Sequence, residues 1–122
     1  MIIKGRILVV EDNEDNLSLL RLLLEREKYQ VLTAQDGVAG LQLARQEQPD
    51  MILLDLAMPE MDGWELAQTL KADITTRRIP IIAVSAHALP KDRDRALASG
   101  CDGFIVKPFS IANLTAEIKR LI

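Results

Sequence analysis

The chain reads as an α/β fold: a doubly wound, parallel, five-stranded sheet with five helices divided between its two faces. Three observations predict it. Five short aliphatic runs alternate with five longer amphipathic segments along the 122 residues, and such alternation argues β–α units with parallel strands. No repeat, low-complexity stretch or linker breaks the pattern, so residues 1–122 read as one domain with a single sizeable core. Aromatic residues are only 3% of a chain that is 48% hydrophobic, so aliphatic side chains must fill that core.

The first run is "RILVV" (6–10), followed by "NLSLLRLLLEREK", where Leu17, Leu20 and Leu24 recur at helical spacing. "VLTA" (31–34) leads into "DGVAGLQLARQEQ", which stops before Pro49. "MILLD" (51–55) is apolar throughout until its last residue, as expected of a strand covered on both faces. After it comes "DGWELAQTLKA", with Asp62 placed to cap the helix and Glu65 three residues on, a capping-box pattern with Asp in place of Ser or Thr. "PIIAVSA" (80–86) precedes "PKDRDRALASG", with Pro90 suited to a first helical position and Gly100 to the exit. "GFIVK" (103–107) precedes "SIANLTAEIKRL", which lines up Ile111, Leu114, Ile118 and Leu121 on one face. The runs are β-branched and aliphatic, which favours strands.

Composition removes several classes of function. The net charge is −3, and no basic stripe is available to hold a phosphate backbone, so direct nucleic-acid binding is not expected. The lone Cys101 leaves no internal disulfide and fits a reducing compartment. The opening "MIIKGRILVV" is too short for a signal peptide, and nothing approaches the roughly 20 apolar residues of a membrane span. A cytoplasmic protein without membrane insertion is the expectation.

Sites in open parallel sheets lie beyond the carboxyl ends of the strands, where strand order reverses. Glu11 and Asp12 follow the first run, Asp55 ends the third, Ser85 closes the fourth and Lys107 the fifth. Taken singly, each has an ordinary explanation: a solvated loop acid, a satisfied hydroxyl, a surface lysine. Taken together, they put three carboxylates, a hydroxyl and an ammonium at one edge. Unit charges 4 Å apart repel by about 4 kcal/mol at an effective dielectric near 20, so the acids require a proton or a cation. Lys107 offsets one charge, and a divalent ion would offset the rest. An all-oxygen donor set suits Mg²⁺, whereas a lone His87 and a lone Cys101 do not make a zinc site. A carboxylate beside a metal, facing an ammonium and a hydroxyl, is laid out for phosphoryl transfer to Asp55.

These residues, in "ILVVEDN", "DLAMPEMDG", "SA" and "KPF", make the chain resemble the receiver domain of two-component response regulators over essentially its whole length. The resemblance implies the flavodoxin-like strand order 2-1-3-4-5 that the chemotaxis receiver exemplifies. It implies that Asp55 is the phosphoacceptor, that Asp12 ligates Mg²⁺ and that Glu11 acts on it through water. The backbone carbonyl of Ala57 would be a further ligand. Lys107 would contact the phosphoryl group and form a cis peptide with Pro108, Ser85 would move toward the phosphate, and Phe104 occupies the aromatic switch position. The chain departs from the commoner pattern in having Glu11 where Asp is frequent and Phe104 where Tyr is frequent. The longer Glu keeps the charge, and the Phe must be driven inward by burial alone.

The implied function is a signalling switch. A sensor histidine kinase or a histidine phosphotransfer protein donates to Asp55, and the protein catalyses only that transfer and its own slow dephosphorylation. The helix at 90–100, the last strand and the last helix then present a changed face to a downstream protein. If 122 residues is the natural length, the receiver stands alone and signals by protein contact. The runner-up is a small Mg²⁺-dependent phosphatase with an Asp nucleophile, disfavoured because no loop is long enough to hold a substrate. An FMN-binding module is disfavoured by the acids of "EDNEDN" where phosphate would sit. A degenerate scaffold is disfavoured by the intact set Asp12, Asp55, Ser85 and Lys107.

Overall fold

The computed structural model describes residues 3–56, 63–85 and 89–122. Along them run β1 (Gly5–Val10), α1 (Glu14–Arg26), β2 (Tyr29–Ala34), α2 (Gly37–Glu47), β3 (Met51–Asp55), α3 (Gly63–Ala72), β4 (Ile81–Ser85), α4 (Pro90–Ala98), β5 (Gly103–Val106) and α5 (Ile111–Leu121). The strands form one parallel sheet in the order β2-β1-β3-β4-β5, the arrangement expected.

Side-chain alternation along the strands splits the core in two. Leu8, Val10, Ile52, Leu54, Ile81 and Ala83 face α2, α3 and α4, where Ala44, Leu66, Leu70 and Ala96 meet them. Ile7, Val9, Met51, Leu53, Ile82 and Ile105 face α1 and α5 and pack on Leu17, Leu20, Leu24, Leu114 and Ile118. β3 and β4, flanked by strands on both sides and covered on both faces, are buried along their full lengths.

Capping explains where the helices begin. The Asn13 side chain accepts from the Asn16 N–H at 3.0 Å and starts α1 at Glu14, three residues before the leucine pattern begins at Leu17. Asp36 caps α2 by accepting from the Ala39 N–H at 2.8 Å, and Ser110 caps α5 from the Asn113 N–H at 3.1 Å. Pro90 opens α4, as its fixed φ allows, but Leu89 before it offers no capping side chain, and Ala96 is the sole buried residue of that helix. The expected cap Asp62 lies outside the described residues.

Candidate functional site

Strand register delivers the site residues to one edge. Val10 pairs with Leu54 in the neighbouring strand, so Glu11 and Asp12 emerge beside Asp55. Asp55 pairs with Val84, and Ser85 pairs with Val106, which puts Ser85 and Lys107 along the same edge. The Lys107 N–H donates to the Ser85 carbonyl at 2.7 Å and fixes the turn after β5. β1 connects outward to β2 on one side and β3 connects to β4 on the other, so the acids at the ends of β1 and β3 stand at the reversal of strand order.

Glu11, Asp12 and Asp55 each offer a carboxylate oxygen, and these oxygens lie within 4.8 Å of one another. Glu11 is 2% exposed and Asp55 9%, while Asp12 is open to solvent. The Lys107 ammonium lies 3.6 Å from Glu11 Oε2 and 3.7 Å from Asp55 Oδ2. Among the described residues, one ammonium therefore pairs with two of the three acids. Burial pushes the Glu11 carboxyl up to about 7, helped by a hydrogen bond shared with Asp55 and by that acid's charge; the Asn16 amide and Lys107 pull it down. Deprotonating all three acids leaves two negative charges over Lys107, which a divalent cation matches. The donors are all oxygen, which suits Mg²⁺. Ala57, the expected backbone ligand, lies outside the described residues, as does His87.

Gly63 packs directly against the backbone of Asp55 and Leu56. Its N–H donates to the Leu56 carbonyl at 3.1 Å, and a Cβ there would collide with the Asp55 carbonyl oxygen and the Leu56 Cα. The chain must be glycine where α3 starts against the end of β3. The peptide between Lys107 and Pro108 is cis. Ser85 is buried, and Phe104 is half-buried against the α2–α3–α4 side of the sheet. Phe104 pairs with Ala83, two residues before Ser85, so Ser85 and Phe104 share a face of neighbouring strands. Trp64 is half-buried with the Arg95 guanidinium 4.3 Å from its ring centre, a contact between α3 and α4 that sequence spacing did not indicate. Cys101 is buried, and burial pushes its thiol up to about 12, so it acts as an inert filler. Asn16, not singled out from the sequence, donates its side-chain amide to Glu11 Oε1 at 3.1 Å.

The family model of the response regulator receiver domain matches residues 7–119. The chain belongs to this family. The polar-differentiation response regulator DivK of Brucella anthropi is 41% identical over 116 residues, covering 95% of this chain and 94% of the relative. The receiver domain of a sensor histidine kinase from Pseudomonas aeruginosa, solved with a magnesium ion coordinated in its active-site cleft, is 34% identical with a TM-score of 0.89, covering 96% of each chain. The chemotaxis response regulator CheY4 of Vibrio cholerae superposes with a TM-score of 0.91 at 27% identity, covering 97% of this chain and 98% of its own. This receiver domain is a phosphorylation-dependent signalling switch, and the comparisons lend no support to the phosphatase alternative. None of its described helices is long and apolar enough to cross a membrane.

Proposed function

We propose that this receiver takes a phosphoryl group on Asp55 from a phosphohistidine, carried by a sensor histidine kinase or a histidine phosphotransfer protein. The observation that carries the reading is the placement of Asp55. Its carboxylate ends a buried strand, 3.7 Å from the Lys107 ammonium and within 4.8 Å of the oxygens of Glu11 and Asp12.

Asp12, Asp55 and the Ala57 carbonyl would hold Mg²⁺, with Glu11 acting through water. When bound, the ion supplies positive charge to the phosphoryl oxygens. An Asp55 carboxylate oxygen attacks phosphorus, an O–P bond forms, the N–P bond breaks and the imidazole leaves. Lys107 offsets charge spread over the phosphoryl oxygens in the transition state, and the Ser85 hydroxyl donates to one of them. Water later cleaves the acyl phosphate and restores the carboxylate, so the only catalysis is transfer to itself and its own dephosphorylation.

The output follows from the shared face of Ser85 and Phe104. As Ser85 turns toward the phosphate it leaves room beside β4, and Phe104 moves in. The effect is a shift between two existing arrangements. α4, β5 and α5 then offer an altered surface to a downstream protein. α4 suits that role because it is held by so little: one buried side chain and no cap from Leu89.

The test is intact-mass spectrometry after incubation with acetyl phosphate and Mg²⁺. One phosphoryl group should appear on the wild type and none on Asp55→Asn. Labelling that persists in the variant would place the acceptor elsewhere.

A further inference from the structure

We infer that Asn16 is a positioning residue matched to Glu11: its side-chain amide holds one oxygen of that carboxylate, so that the other faces the centre of the site. The inference rests on the reading of the acids as a Mg²⁺ and phosphoryl site.

Glu11 is the longest of the three acids gathered here and the most deeply buried. A buried carboxylate needs each of its oxygens satisfied. Here the carboxyl shares a hydrogen bond with Asp55, and each oxygen also faces a group from another element. Oε1 accepts from the Asn16 amide at 3.1 Å, and Oε2 faces the Lys107 ammonium at 3.6 Å. Asn16 can do this because its own backbone is fixed. Its N–H donates to the Asn13 side chain at 3.0 Å, which sets the first turn of α1 and with it the point from which the amide projects.

The chemistry of the donor matters as much as its place. A neutral amide satisfies Oε1 without adding a positive charge that would compete with the cation, as a lysine or arginine would. An acid at position 16 would add repulsion to a site already carrying three carboxylates. The arrangement also depends on side-chain length at position 11. Asp is shorter by one methylene, about 1.5 Å of reach, and from the same backbone its carboxylate would fall outside hydrogen-bond range of Asn16. Glu11 and Asn16 therefore act as a unit. Asn16 also lines the hollow of about 430 Å³ walled by Leu19, Leu20, Lys107, Pro108 and Phe109, so the amide stands at the α1 wall of the same opening as Lys107.

Four proteins test this: wild type, Asn16→Ala, Glu11→Asp and the double variant, with Mg²⁺ affinity measured by isothermal titration calorimetry. Asn16 is exposed, and the α1 cap is made by its backbone N–H rather than its side chain, so removing the side chain leaves the fold intact. Asn16→Ala should weaken Mg²⁺ binding about tenfold with Glu11 in place, as expected for a group that supports a metal ligand. In the Glu11→Asp background the same change should alter affinity by less than about twofold, because the two positions no longer touch. An equal loss in both backgrounds, or no loss beside Glu11, would overturn the pairing while leaving the metal site standing. A wild type that binds no Mg²⁺ would overturn both.

Discussion

The two ends of the sheet handle charge in opposite ways. At the amino ends of the strands, acids and bases are matched. Asp50 accepts from the Arg6 N–H at 2.8 Å, and the Arg6 guanidinium reaches the Glu47 carbonyl at 2.7 Å. Asp102 accepts from the Ile81 N–H at 2.9 Å and pairs with Lys71 at 3.0 Å, while that ammonium also donates to the Arg77 and Ile79 carbonyls. Asp73 takes hydrogen bonds from Thr75 and Arg45, which hold its carboxyl down at about 2. At the carboxyl ends, Glu11, Asp12 and Asp55 gather around Lys107, whose ammonium lies 3.6 and 3.7 Å from the first and last of them. At the first end each of these acids has its donors. The second is in deficit, and the deficit is what a cation and a phosphoryl group can use.

The difference between the two ends should show most strongly in the pH dependence of stability. Glu11 has a folded-state value of about 7 against 4.5 for the free side chain. A raised folded value means that its contribution to stability is fully present below pH 4.5 and is lost as pH rises through about 7. In EDTA, urea denaturation should show stability falling across that window by about 3 kcal/mol at most, and Glu11→Gln should flatten the slope. A wild type with no such slope would mean that the carboxyl end is not in deficit. Asp73, at the matched end, runs the other way: its contribution is present above 3.8 and is lost only as pH falls toward 2.

A smaller effect sharpens the same contrast from the matched side. Lys71→Met leaves Asp102 without its ion pair and two carbonyls without a donor, at a cost of about 1–2 kcal/mol in unfolding free energy. Phosphorylation and Mg²⁺ affinity should not change. Loss of either would mean that the two ends are coupled through the sheet.

The aliphatic runs made the strands and their order of succession legible, because central parallel strands covered on both faces must be apolar. That placed Glu11, Asp12, Asp55, Ser85 and Lys107 at strand ends, where the register brings them together. Helix starts were harder to read. The leucine pattern begins at Leu17, but α1 begins at Glu14, because Asn13 caps it and capping leaves no periodic signal. β2 likewise starts at Tyr29 rather than Val31, because its edge position allows an exposed Gln30 within the run. The sequence alone does not separate a close backbone approach at Gly63 from a simple helix opening, and the packing against Asp55 favours the close approach. Asn16 and the stack of Arg95 on Trp64 were not legible, since both depend on side-chain direction across separate elements.

The most direct measurement is calorimetric titration of the wild type and Asp12→Ala with Mg²⁺. One ion should bind the wild type, with affinity at least about tenfold weaker in the variant; unchanged binding in Asp12→Ala would contradict a metal site built on these acids.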